Sequence, residues 1–189
     1  EALEVRIREA LGRVRGEELS VDGSHMPTAQ DISDQAGGEL EIYRHHLAAG
    51  EVDAALASLG RADALLGRAA DEDPAWEEPV AGRAWVWHER GTLLLTNGRP
   101  AAVAAYRKSL GHAEAALARE PGHAEALRLR GLAAFSLAAT GTAGAVERAA
   151  LLERADADLR RSQGLHRNRA EVRYLLAQVK EEQGQRFEA

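Results

Sequence analysis

Apolar positions recur along this chain at helical spacing in long runs, and glycines cut the runs at a near-constant interval. Gly50, Gly98, Gly141 and Gly184 stand 43 to 48 residues apart. Each interval holds the same order: an opening run, a glycine, a longer second run, then a break. The breaks are Asp73-Pro74, Glu120-Pro121 and His166-Arg167-Asn168. A unit repeated at a fixed period buries its apolar face only by stacking on its neighbours. The pattern therefore predicts an all-α chain, a right-handed α-solenoid of three to four antiparallel helix pairs.

The first pair is expected over residues 40–49 and 52–70. The stripe Val52, Ala55, Leu56, Leu59, Ala62, Leu66 and Ala69 marks its second member. The next opening helix starts near Pro79, a residue suited to a first helical turn, and runs to Asn97-Gly98. Its partner covers 100–119. The third pair is expected over 123–139 and 143–163, and a fourth opening helix over 169–183. Arg186-Phe187-Glu188-Ala189 then reads as the start of another helix, which leaves the last pair unfinished and its apolar surface exposed.

Composition agrees with helices. Only 4% of the 189 residues are aromatic, so the core rests on many small aliphatic contacts rather than on strand-forming side chains. No run of 18 apolar residues predicts a membrane span, and no signal peptide is recognisable. Cysteine is absent and the net charge is −6, a poor match for nucleic acid. Lys108 and Lys180 are the only lysines against many arginines. This bias, with the Ala and Gly load, suggests a GC-rich bacterial genome, and a cytoplasmic location is the default expectation.

Near the N-terminus, Gly23-Ser24-His25-Met26 has the form of a remnant left by cloning ahead of a start methionine. The 22 residues before it carry Leu3, Ile7, Leu11 and Val14 at helical spacing, with Ala10 on the same side. Glu1 and Glu4 early and Arg13 and Arg15 late suit the helix dipole. The expected organisation is a fused amphipathic partner peptide over 1–22, a scar and linker over 23–38, and a repeat domain over 39–189. The alternative is a native capping helix.

The run Pro121-Gly122-His123-Ala124-Glu125-Ala126-Leu127-Arg128-Leu129-Arg130-Gly131 resembles the start of a tetratricopeptide repeat. So does Trp87 followed four residues later by Gly91. Ala102 and Tyr106 are similar to the Ala-x-x-x-aromatic pair of that family's second helix, as Ala55 and Leu59 are less fully. The turn from Gly184 into Arg186-Phe187 fits the same scheme. Family units are normally shorter than these by about ten residues. Arg90 and Arg130 also stand where the family prefers leucine, and Tyr43 and Ala177 where it prefers glycine.

Catalytic chemistry is not legible. His45-His46, His88-Glu89 and the pair His112 and His123 lack the His-Glu-x-x-His spacing that sets two ligands on one helix face. No nucleophile-base arrangement can be assembled, so neither an enzyme nor a cofactor nor a metal is expected. The resemblance instead implies a peptide-binding groove lined by the opening helices. Its residues would be Arg44 and Leu47; Trp85, His88, Thr92 and Leu95; Glu125, Arg128, Leu132 and Phe135; and Tyr174, Gln178 and Glu181.

These observations together predict a protein-protein interaction module that takes a helical segment in the groove. Residues 1–22 would be that segment or mimic it, anchored by Leu3, Ile7, Leu11 and Val14. Burying four such side chains is worth on the order of 6–10 kcal/mol before ordering costs, at ~1.5–3 kcal/mol each. The other readings are a structural or oligomerisation role for that segment, or a sensor domain of a larger bacterial signalling or transcription protein.

Overall fold

The computed structural model describes residues 26–95, 99–165 and 170–184. The segment 1–22 and its anchors, the turn at Gly98 and the stretch from Arg186 lie outside them. Seven helices and no strand occur among the described residues: α1 Ala29–Ala48, α2 Val52–Glu72, α3 Glu78–Leu94, α4 Arg99–Arg119, α5 Ala124–Ala139, α6 Ala145–Leu165 and α7 Ala170–Glu182. None is long and apolar enough to cross a membrane. The repeat domain expected over 39–189 divides at the Asp73-Pro74 break, into units Glu1–Pro74 and Ala75–Ala189.

In the first unit, α1 and α2 pair as a hairpin, and its opening helix corrects the sequence reading. It begins at Ala29 rather than at 40, so most of the expected linker is helical. Thr28 explains the start. Its side chain accepts the Asp31 N–H while the Asp31 carboxylate accepts the Thr28 N–H at 2.9 Å, a capping box that satisfies two donors at once. Gly37 and Gly38 lie inside this helix, at a cost of about 1 kcal/mol of propensity each. Burial of Ile32, Ala36, Ile42 and Tyr43 with Ala55, Leu59, Ala62 and Leu66 of α2 outweighs that cost. Glu39, almost wholly buried, accepts from Arg61 Nε at 2.8 Å.

The second unit stacks α3–α4, α5–α6 and α7. Opening helices α3, α5 and α7 touch in succession and form one layer, with α4 and α6 packed against them. The two complete hairpins share one construction. Gly91 of α3 receives the Tyr106 ring of α4, and Gly131 of α5 receives Leu159 of α6; a Cβ on either glycine would lie under 3.0 Å from that side chain. Seven residues before each glycine, the carbonyls of Ala84 and Ala124 accept the buried hydroxyls of Ser109 and Ser162 at 2.7 and 2.9 Å. Each serine lies three residues beyond the large side chain. The glycine lets the axes approach, and the serine ties the other end of the same pair of helices.

The hairpins differ in length beyond this shared core. Eleven residues separate Gly91 from Ala102, whereas 24 separate Gly131 from Ala155. The excess lies in the end of α5, the connector and the start of α6. Leu137 and Leu151 from this extension pack against Tyr106, Val103 and Leu110 of α4. The expected helix ends are otherwise met within two residues in this unit, except that α3 stops at Leu94. Gly50, Gly141 and Gly184 all have φ near +70°, the left-handed conformation that lets a chain turn sharply after a helix.

Gly111 faces open space on α4 with nothing within 4 Å of an added Cβ. Gly111→Ala is expected to stabilise by about 0.5–1 kcal/mol through lost unfolded-state freedom. Thermal denaturation should show a midpoint raised by about 1–4 °C. A lowered midpoint would mean that α4 tolerates no side chain there.

Candidate functional site

The opening-helix face of the Ala75–Ala189 unit carries most of the residues singled out from sequence, at three depths. Leu95 and Tyr174 are exposed, at 43% and 64%, and so is Thr92 in the last turn of α3. Trp85, Leu132, Phe135 and Gln178 are half-buried. Trp85 packs against Ala84, Ala113 and Leu129, while Leu132 and Phe135 pack on the α5–α6–α7 core. They therefore finish the core and show only one edge to solvent. Gln178 Nε2 donates to the Tyr174 hydroxyl at 3.2 Å, so these two neighbours on α7 act as one surface element.

His88 and Arg128 lie deeper, at 8% and 5% exposure. His88 Nε2 meets Ser136 Oγ of α5 at 3.0 Å, its ring stacks obliquely on Tyr106 at 5.3 Å, and its buried Nδ1 has no hydrogen-bond partner. Burial pushes the Tyr106 phenol up; the Thr92 hydrogen bond opposes this and the charge of Glu89 adds to it. Both His88 and Arg128 thus belong to the framework beneath the face.

Arg128 is the electrostatic hub. Its Nε and Nη2 donate to Glu125 on its own helix, and its Nη1 donates to Glu171 of α7 at 2.7 Å. Burial works against its charge, but the Glu125 hydrogen bonds and the fields of Glu125, Glu171 and Glu89 outweigh it and hold the guanidinium above its usual value. Sequence reasoning selected Arg128 and Glu125 but missed Glu171 and Glu89 as its surroundings. Arg128 and Glu171 are 43 residues apart, one repeat period, which was the available signal.

Arg44 and Leu47 sit on α1 in the first unit. Arg44 pairs with Glu41, and Leu47 is exposed at 43%. Glu181 is exposed on α7. Two cations approach the Trp87 ring, with Lys108 Nζ 3.9 Å and the Arg90 guanidinium 4.9 Å from its centre.

Among the described residues one group has metal-compatible composition. Ligand atoms of Glu77, Glu120 and His123 lie within 4.8 Å of one another. However, His123 Nδ1 accepts the Ala126 N–H at 3.0 Å, capping α5. A neutral ring then carries its proton on Nε2, which points to Glu78 at 3.2 Å. A metal ion on Nε2 would need the opposite tautomer and would break the cap. A cleft of about 640 Å³ opens elsewhere, between Ala145, Ala149 and Leu152 of α6 and Lys180 and Glu182 of α7, with Gln183 just beyond it. It holds none of the residues selected from sequence.

No known family and no curated protein matches the chain. Among solved structures, it is similar to the first TPR domain of Spaghetti (RPAP3) bound to an HSP90 peptide. That match has 18% identity over 80% of this chain and 95% of the other, with a TM-score of 0.49. It is also similar to the C-terminal TPR-containing domain of a Plasmodium falciparum FK506-binding protein, with 15% identity over 83% and 93% and a TM-score of 0.48. The tetratricopeptide-like character of the second unit rests on its own two hairpins, each with a glycine facing a large side chain.

Proposed function

We propose that the face formed by α3, α5 and α7 binds a helical segment of a protein partner, of the kind represented by residues 1–22. The observation that carries this reading is the set of apolar side chains that the opening helices leave wholly or partly exposed. Exposed Leu95 and Tyr174 accompany the half-buried edges of Trp85, Leu132 and Phe135. Aromatic side chains seated in packed surroundings are the usual anchors of binding surfaces. An amphipathic helix that lays its i, i+4 and i+7 positions onto such a surface is a common recognition mode. His88, Arg128 and Glu125 are engaged in structural bonds, so the face offers shape and field rather than a reaction centre, and an interaction module fits better than an enzyme.

The test is calorimetry with a synthetic peptide of residues 1–22. The recipient is the full chain carrying Leu3→Asp and Ile7→Asp, so that its own leading segment does not compete. The unaltered peptide should bind, and Ile7→Ala or Leu11→Ala in the peptide should each weaken binding about tenfold, as for loss of ~1.5 kcal/mol of buried contact. Tyr174→Ala on the protein should weaken it comparably. A peptide that fails to bind removes this reading.

A further inference from the structure

We infer that the cleft between α6 and α7 is the seat of the chain's own segment 185–189, with the Phe187 ring set against Leu152. The ground is how α6 itself is placed. It pairs with α5, yet it also reaches back to α4. Leu151 joins the cluster of Ala102 and Tyr106 on α4, Arg154 Nη1 donates to Glu114 at 2.8 Å, and Glu147 stands 3.8 Å from Arg107. The second helix of this hairpin therefore lies along both its own opening helix and the second helix before it. One repeat further on, those two walls are α7 and α6. Between them is the cleft of about 640 Å³.

The lining suits an apolar side chain. Leu152 is almost wholly buried, whereas Ala145 and Ala149, on the same side of α6 at helical spacing, are exposed. Val146, next to them, is 87% exposed. The cations of the lining are already engaged: Arg148 pairs with Glu182, and Lys180 Nζ lies 3.3 Å from Asp156. These pairs tie α6 to α7, so the cleft is not built for an anion. The chain also leaves α7 from its rim. Gln183 lines the cleft, and Gly184 then has φ +72°, as Gly141 has φ +69° where the chain turns from α5 back into α6. Phe187 follows three residues later, within about 11 Å of Gly184 even along an extended path. Its ring is the largest apolar group the segment offers for burial. Seated against α6 and α7 together, it also holds down the helix that carries Tyr174 and Gln178. The seat is independent of what binds the opening-helix face.

The test is fluorine NMR of the full chain carrying 4-fluorophenylalanine. Phe135 and Phe187 are the two phenylalanines, so two resonances are expected, and Phe187→Leu assigns them. The Phe187 resonance should lie away from its position in concentrated urea. Ala149→Glu sets a carboxylate on the exposed wall of the cleft with little loss of helix propensity. It should return the Phe187 resonance to the urea position while Phe135 keeps its folded one. Ala145→Glu is the second variant should the first alter the melting curve. A parent resonance already at the urea position overturns the inference. A displaced resonance that ignores both glutamates overturns it as well, since the ring then sits elsewhere. So does a resonance that returns to the urea position on dilution, because the occupied cleft is then that of a second copy.

Discussion

Arg130→Met is expected to destabilise the Ala75–Ala189 unit by about 3–5 kcal/mol, the cost of leaving a buried charge without its partner. Arg130 Nε and Nη2 each donate to Asp158 at 2.7 Å, a two-pronged pair between α5 and α6. Asp158 is 5% exposed, so water cannot replace what methionine removes. The hydrogen bonds to Asp158, against opposing burial, raise the Arg130 guanidinium above its usual value. Arg130→Met with Asp158→Leu should recover most of the loss, because two apolar groups of suitable size replace a buried pair at little cost. Chemical denaturation of the three chains measures both effects. A single-variant loss below about 1 kcal/mol would place this pair with ordinary surface bridges. The result also bears on the tetratricopeptide resemblance, since Arg130 stands where that family prefers leucine.

Gly91→Ala should cost about 1–3 kcal/mol, although alanine is the better helix former by about 1 kcal/mol. Its Cβ would lie 2.5 Å from Tyr106 Cε1 and 2.6 Å from Cδ1. The ring has little room to retreat: it is 2% exposed, stacks on His88 and reaches Thr92 with its hydroxyl at 3.4 Å. Adding Tyr106→Leu should recover part of the loss, since leucine fills the equivalent place opposite Gly131. Thermal melts of the single and double variants decide the matter. A Gly91→Ala chain as stable as the parent would mean that α3 and α4 shift apart without cost.

Much of this was written locally. Gly91, Ala102 and Tyr106 were picked out by their resemblance to the family's motifs, but the contact of Gly91 with Tyr106, and its counterpart between Gly131 and Leu159, was decided by packing. Helix ends at Pro79, Glu120-Pro121 and Gly141 follow from local backbone rules that need no partner. The start of α1 was also local, in Thr28-x-x-Asp31, although the linker expected over 23–38 covered it. Packing against α2, which supplies most of a helix's stability, sustains it across Gly37-Gly38.

The depth of the candidate residues was a different matter. Trp85, His88, Arg128 and Tyr174 all fall on opening helices, and periodicity alone treats them alike. Their separation into core edge, framework, hub and exposed side chain depends on what the neighbouring helices present: Ser136 to His88 and Glu171 to Arg128, while Tyr174 stays 64% exposed. By itself the sequence determined an all-helical chain of repeated pairs, with the glycines that let them close. The tertiary structure decided which polar side chains are consumed inside the stack and which stay exposed. Those outcomes depend on side chains some forty residues apart meeting across helices, and helical spacing within one segment carries no record of that.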